Sequence, residues 1–472
     1  DATKDFNYFH AQRVMDKYGP KLYIGDLKDR EEEPANPFAA MLPDTYGELV
    51  PFGDPSWYQG WRSPYYTDSH KKFRKAIREF MDAEVTPNIG KWLEAEDIPK
   101  EVITKMAKIG FLQSCIKGVW NKEYFGDVLP GGVRPEEFNW FHFIIAITEL
   151  SRGGSLGFVW ATTAGINIGL APVLNFGAKH LKDLVAADCA NGRKYIALAI
   201  TEPWAGSDVS ALKTSAKLTP DGKHYIVNGI KKWITNGTWA NYYTTAVRTG
   251  GEGMGGISLL LIDRNTPGIS VKKMKCQGVL GSGTAFIVFE DVKVPVDYRI
   301  GDEGKGFKYI MKNFNTERFY IVLQALAASR LCYEDAFKYA HKRKTFGKKL
   351  IDHPVIRNKL AHMARQIEPI QSWTENTANQ LNQLSASEQV KYLAGSIALM
   401  KAHSTIVFEY CTREAIQIFG GAGYTRGGQG ERVERLHRDV RGVAIPGGSE
   451  EILLDLGVRQ AQKLYPAVPK LQ

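Results

Sequence analysis

The stretch GFKYIMKNFNTERFYIVLQALAASRLCYEDAFKYAHK, residues 306–342, decides how the chain is read. Apolar residues recur at Phe307, Ile310, Phe314, Ile321, Ala325, Ala328, Cys332, Ala336 and Tyr339, mostly three or four apart. That spacing predicts one long helix with a buried stripe. One member of the series is missing, and Glu317 takes its place. Lys308, Lys312 and Asn315 fall on the opposite face. A carboxylate in register with a buried stripe is costly to ionise, and burial lifts its pKa toward neutrality. Two readings follow: a proton acceptor, or an ion pair with the adjacent Arg318 or another buried cation.

Outward from this stretch, helical spacing continues over residues 353–383 and 387–418 and resumes near Ser449. Long helices with short connections imply an antiparallel four-helix bundle over residues 306–472. Residues 194–305 have a different character. Tyr195 to Ile200 reads as a strand, and Thr214 to Leu218 with Tyr225 to Asn228 flank an Asp221-Gly222 turn of the type I′ kind. Short strands follow at Lys231 to Thr235, Tyr242 to Arg248, Ile257 to Asp263, Ile269 to Met274 and Ala285 to Val292. This is a central β-barrel-like domain. Residues 66–193 are helical, at Lys71 to Leu93, Lys100 to Ile109, Pro135 to Leu150 and Gly165 to Val185. Residues 26–65, rich in Pro, Asp, Glu and Trp, read as a linker that wraps a surface. The fold class is therefore α+β and multidomain: a helical domain, a β domain and a helical bundle.

With 472 residues the chain is long enough for two to four domains. No apolar run approaches the roughly 18 residues of a membrane helix and no signal-like start is seen, so no membrane span is expected. The chain opens at Asp1 rather than Met, which leaves room for an upstream segment. Five scattered cysteines without a CxxC pair point to reduced thiols rather than disulfides or zinc ligands. No metal site is expected, and the setting is intracellular: mitochondrion, peroxisome or cytosol. The net charge of +10 is dispersed, densest between Lys338 and Lys349, and suits a nucleic acid or a polyanionic nucleotide or coenzyme A alike.

Four motifs narrow the choice. Ile200-Thr201-Glu202-Pro203-Trp204-Ala205-Gly206-Ser207-Asp208 and Lys231-Lys232-Trp233-Ile234-Thr235-Asn236-Gly237 resemble the two flavin-cradling signatures of the acyl-CoA dehydrogenases. Arg343-Lys344-Thr345-Phe346-Gly347 and Gln417-Ile418-Phe419-Gly420-Gly421-Ala422-Gly423 resemble two more, in family order across roughly residues 66–465. The resemblance implies that family's fold and an FAD cofactor. It places Leu198, Ile200 and Thr201 beside the isoalloxazine, with Gly206 and Ser207 at the strand end; Ser207 faces either the FAD phosphate or the thioester. Trp233 becomes an aromatic plate beside the ring, with Thr235 at a ring nitrogen. Arg343, Thr345 and Phe346 reach the FAD of a neighbouring subunit, as do Gln417, Gly420 and Gly421, so a homotetramer or homodimer is implied. Ser449, a hydroxyl N-cap ahead of Glu450 and Glu451, begins a turn that the family lays over the flavin. Taken singly, each has a plainer reading: a strand-to-loop turn, a core tryptophan, or a solvated cation at a helix C-terminus.

The catalytic base is where the sequence departs from most of the family. Its usual Tyr-Glu-Gly-Thr reads Pro446-Gly447-Gly448-Ser449 here, with glycine at the base position. Isovaleryl- and long-chain-type members carry the glutamate on the long helix before an arginine, and Thr316-Glu317-Arg318 is similar to that arrangement. The resemblance thus assigns Glu317 to the α-proton and flavin N5 to the β-hydride, giving a trans-2-enoyl-CoA. The thioester carbonyl is held by the Gly447 N–H and a ribityl hydroxyl, with Ser207, Asn315, Arg318 and Gly448 around the substrate. Such a reaction belongs to fatty acid metabolism, with electron-transferring flavoprotein as acceptor. A second resemblance covers residues 1–25. Phe6 to His10, Val14 to Tyr18 and Leu22 to Gly25 resemble the second half of a cytochrome b5-type haem domain, with His10 at one axial position and its partner histidine absent. A fused haem domain would be an alternative acceptor. Competing readings are a flavin oxidase or monooxygenase on the same fold, distinguished by hydrogen peroxide production. A nucleic-acid-associated relative would instead show salt-dependent DNA binding without flavin bleaching.

Overall fold

The computed structural model describes residues 45–116 and 118–465. The haem-like residues 1–25 lie outside the described residues.

The N-terminal helical part contains α1 (Asp68–Phe80), α2 (Lys100–Lys108), α3 (Trp140–Ser151), α4 (Leu156–Phe176) and α5 (Lys179–Ala190). The single helix expected over Lys71 to Leu93 breaks. Met81–Val85 forms a π-turn, and Pro87, which lacks an N–H, sits in the turn before Ile89–Glu94. Pro135–Glu137 is only a 3₁₀ turn; α3 starts at Trp140, where the Asn139 side chain accepts from the Phe141 N–H at 2.9 Å. The run expected over Gly165 to Val185 parts at Gly177, whose ψ of 147° is extended. By length and composition α4 could cross a membrane, yet 89% of its most apolar window is buried inside the protein. It is a core helix, and its middle, Trp160–Gly169, is π-helical. The described part of the expected linker wraps this body. Trp57 stacks on Tyr66 at 4.0 Å, and the Arg74 guanidinium lies over the rings of Tyr46, Trp57 and Tyr58.

Seven strands follow: β1 (Ile196–Ala199), β2 (Ser215–Leu218), β3 (His224–Ile234), β4 (Tyr242–Arg248), β5 (Ile257–Asp263), β6 (Ile269–Lys273) and β7 (Ala285–Pro295). They form one mixed sheet in the order β1-β4-β2-β3-β7-β6, with β5 paired to β4. Where two strands were expected, β3 runs unbroken against β7, with register shifts after Val227 and after Lys231. The turn before it is not type I′. The Gly222 N–H donates to Thr219 O at 2.9 Å, and Gly222 but not Asp221 takes positive φ. Residues of β5 alternate between two cores: Leu259 and Leu261 face the helices, while Leu260 and Ile262 join Tyr225, Val227 and Phe289. The sheet therefore encloses a core of its own, barrel-like in packing, while its hydrogen-bonded path stays open.

The predicted long helix is α6 (Gly306–Lys342). Beside it lie α7 (Pro354–Gln383), α8 (Ala394–Phe419), α9 (Glu431–Ala444) and α10 (Glu450–Leu464). The bundle thus has a fifth helix, α9, which the sequence reading passed over; it buries Val433, Leu436, Val440 and Val443.

Candidate active site

Glu317 stands on α6 in the buried stripe, 7% exposed. Its Oε2 has no hydrogen-bond partner among the described residues. Burial lifts the carboxyl from 4.5 to about 7, against the opposing pull of Arg318 and Lys401. Arg318 is not its ion-pair partner: Nε donates to Gly447 O at 2.7 Å and Nη1 to Asn315 Oδ1 at 3.2 Å. Among the described residues Glu317 makes no ion pair.

The turn between α9 and α10 faces this carboxylate. Gly447 has φ +70°, and a Cβ built there would lie 3.1 Å from Ile321 Cδ1 and 3.9 Å from Glu317 Oε1. Only glycine leaves that space open and adopts that backbone without strain. The Gly447 N–H donates to no acceptor among the described residues, so a free donor stands beside the base. Gly448 is similarly confined, since a Cβ would meet Leu453 Cδ2 at 2.8 Å. Ser449 precedes α10, but its hydroxyl makes no capping bond to the helix backbone, contrary to expectation. It interacts instead with the exposed Glu451, whose carboxyl its own backbone N–H and Ser449 hold below the usual range.

The residues expected at the flavin occupy an open face at the end of β1. Along that strand Leu198 is half-buried while its neighbours are buried. Ile200 is buried, Thr201 half-buried, and Gly206 and Ser207 are exposed. Trp233 sits in the second irregularity of β3 with φ +59° and is 49% exposed, and Thr235 is half-buried two residues on. An aromatic plate and polar groups held outside the core suit the edge and face of a planar ring. The π-helical segment of α4 ties this face to the base. Asn236 donates to Trp160 O at 3.0 Å and accepts from the Gly165 N–H at 3.0 Å. From α6, Asn313 donates to Ile168 O at 3.1 Å and Tyr320 shares a hydrogen bond with Thr163 at 2.7 Å.

Other expected residues lie elsewhere. Arg343 ends α6, and residues 344–349 form a small hairpin whose tip, Phe346, is 96% exposed. Thr345 bonds His353 at 3.3 Å. Tyr339 stacks on Phe419 at 4.3 Å, which brings the exposed Gln417, Gly420 and Gly421 to the same end of the bundle. At 1.5 Å per residue, that end is roughly 39 Å along α6 from Glu317. Asn315 and Thr316 line a cavity of about 200 Å³ with Trp140, Leu174, Phe319 and Ile397; Glu317 is not part of that lining.

Three family models match in order: the acyl-CoA dehydrogenase N-terminal domain over residues 67–193, its middle domain over 197–292 and its C-terminal domain over 304–462. The chain is 42% identical over 427 residues to acyl-CoA dehydrogenase apdG of Emericella nidulans, covering 89% of this chain and 97% of that one. The chain belongs to the acyl-CoA dehydrogenase family. It is also 30% identical over 395 residues to the caffeyl-CoA reductase-Etf complex subunit CarC of Acetobacterium woodii, covering 82% of this chain and 97% of that one. Among solved structures, an acyl-CoA dehydrogenase complexed with FAD from Bacillus anthracis superposes with a TM-score of 0.75 at 26% identity, covering 84% of this chain and 68% of that one.

Within this acyl-CoA dehydrogenase the partners of two buried lysines escaped the sequence reading. Lys231 Nζ donates to Glu202 Oε1 and to Ile200 O, both at 2.9 Å, with both side chains fully buried. Glu202 also accepts from the Lys213 and Thr214 N–H groups. The pair locks the two flavin motifs together, although 29 residues separate its members. Lys401 is the other. Its signal was only a lysine at an otherwise apolar position of α8, with nothing in sequence to name a partner.

Proposed function

We propose that the chain dehydrogenates an acyl-CoA thioester to the trans-2-enoyl-CoA, with Glu317 as the base that takes the α-proton. The observation that carries this is a buried, unpaired carboxylate held near neutrality beside a free backbone donor. The reaction class is that of the family, whose members bind FAD. The groups that would hold FAD are Leu198, Ile200, Thr201, Gly206, Ser207, Trp233 and Thr235. Bound FAD supplies the hydride acceptor for the β-hydrogen. A base with a pKa near the working pH combines a large ionised fraction with adequate basicity. The Gly447 N–H is placed to donate to the thioester oxygen as charge develops there, a contact of the kind that contributes about 3–4 kcal/mol in a dry site. Arg318 steadies that donor through Gly447 O, and Asn315 steadies Arg318. Gly448, Ser449 and Glu451 complete the turn above the site.

Arg343, Thr345, Phe346, Gln417, Gly420 and Gly421 serve the FAD of another copy, in a homodimer or homotetramer. The roughly 39 Å along α6 between Glu317 and Arg343, at whose end the other five gather, supports this reading. Electron-transferring flavoprotein is the acceptor we favour, in keeping with a relative named as part of an Etf complex. The decisive experiment is anaerobic flavin bleaching by a panel of straight and branched acyl-CoAs, with wild type and Glu317→Gln. Bleaching by wild type and none by the variant is expected; equal bleaching by both removes Glu317 as the base.

A further inference from the structure

The turn that carries Gly447 is held from below by a cation with no carboxylate in contact among the described residues. Lys401, on α8, is 0% exposed. Its Nζ donates to Ala444 O at 2.5 Å and to Gly448 O at 2.8 Å, the two ends of the turn. A buried ammonium without an ion pair is costly, and a methionine or leucine would fill the same volume without that cost. From α6, Arg318 donates to Gly447 O. Two cations from two helices therefore fix three carbonyls of one five-residue segment. Pro446 lies within it with no N–H to satisfy, and positive φ at Gly447 and Gly448 lets both carbonyls point at their donors. Among the described residues neither the Gly447 N–H nor the Gly448 N–H meets an acceptor, and of the two glycines Gly447 is the one beside Glu317.

The charged groups around Lys401 come from three helices packed against α8. Glu317 and Arg318 face it from α6, Glu450 from the first turn of α10, and Arg441 from α9. Glu450 Oε1 is itself buried without a hydrogen-bond partner. Burial pulls the Lys401 ammonium down to about 7, with Glu450 and Glu317 opposing. Lys401 in turn lowers the Glu317 carboxyl.

We infer that Lys401 is a positioning residue for the reaction: clamped between the Ala444 and Gly448 carbonyls, it aims the free Gly447 N–H and lends positive charge to Glu317. This rests on the reading of Glu317 as base and Gly447 as carbonyl donor. Without the clamp the turn can rotate its peptides; without the charge Glu317 holds its proton to higher pH.

The test uses FAD-loaded protein and the saturated acyl-CoA that bleaches wild type fastest. Lys401→Met is expected to slow anaerobic flavin reduction by about 10²-fold, as expected when one such donor is lost or misplaced. Acyl-CoA affinity, followed by perturbation of the flavin spectrum, should change little. The titration of the Glu317 carboxyl, read by infrared difference spectroscopy, should move to higher pH. Lys401→Gln should recover part of the rate, since its amide can donate to one carbonyl, but not the wild-type midpoint, since it carries no charge. A merely structural lysine would move neither midpoint nor the split between rate and affinity. Wild-type rate and midpoint in both variants, beside an inactive Glu317→Gln, overturns Lys401 alone. Full bleaching by Glu317→Gln instead overturns the base reading, and a slow Lys401→Met would then still report the turn. Should Lys401→Met fail to take up FAD, a wild-type rate and midpoint in Lys401→Gln overturns the inference by itself.

Discussion

Two ends of one helix make opposite use of their charged side chains. At Glu317, α6 buries a carboxylate, leaves it unpaired and surrounds it with groups from the same chain: Arg318, Ile321, Gly447 and Lys401. At Arg343 the helix ends in solvent, with an exposed guanidinium, an exposed Phe346 and exposed glycines at 420 and 421, where an added Cβ would meet nothing within 4 Å. The buried end finds its neighbours within one chain. The exposed end has chemistry but no object within reach. Burial tunes a group's proton affinity, whereas exposure preserves its freedom to bind something else.

The sharpest way to break this contrast is to exchange the expected phenotypes. Glu317→Gln should lower the rate of anaerobic flavin reduction by about 10²–10⁴-fold, the span of general acid–base contributions, with FAD content unchanged. Loss of FAD instead of rate would put Glu317 on the binding side of the divide.

The buried end should also carry a pH signature. Raising the carboxyl from 4.5 to about 7 corresponds to about 3 kcal/mol against the ionised form. Between those values the folded state holds a proton that the unfolded state has lost, so stability falls as pH rises from about 4.5 to about 7. Chemistry runs the other way: the ionised base accumulates as pH passes 7, and the flavin reduction rate climbs with it. Denaturant titrations across that window should show wild type losing stability relative to Glu317→Gln. Parallel curves for the two proteins would mean that the carboxylate is better solvated than its surroundings imply.

At the exposed end Arg343→Ala should weaken FAD retention by about 10–100-fold, the loss of a charge-assisted contact. Single-turnover reduction of the FAD that remains should be nearly unchanged. A comparable loss in a demonstrably monomeric preparation would mean that Arg343 serves its own chain after all.

How much of this was legible depended on whether a feature is local. The span of α6 followed from its stripe, because every third or fourth residue had to be buried against the same neighbours. Glu317 announced itself as the one interruption. α9 carries an equally regular set, Val433, Leu436, Val440 and Val443, but seven charged residues between Glu431 and Arg441 masked it. Breaks such as the π-turn at Met81–Val85 are set by tertiary packing and leave no trace in spacing. The Glu202–Lys231 and Lys401 contacts join residues far apart in the chain, so each half alone reads as an expensive oddity. Families and motifs reached the flavin face; only coordinates reached the clamps behind it.

Between the two ends lies a test on the backbone. Gly447→Ala forces a Cβ into a left-handed conformation, at about 1–2 kcal/mol, and within 3.1 Å of Ile321 Cδ1. Thermal unfolding should fall by that amount while flavin reduction falls further, because the same shift moves the N–H beside Glu317. Loss of stability with full activity would separate the turn from the chemistry.

The smallest effect is expected where the side chain is most exposed. Phe346→Ser removes a ring at the tip of a two-residue-stranded hairpin that packs on little besides His353, at a centroid distance of 6.2 Å. Within one chain it should change stability by no more than about 0.5 kcal/mol, as surface substitutions do. If the ring instead inserts beside the FAD of another copy, the variant should lose assembly or FAD at dilution without losing monomer stability. Sedimentation across a concentration series reads that difference directly. An unchanged assembly would return Phe346 to the status of an exposed loop residue.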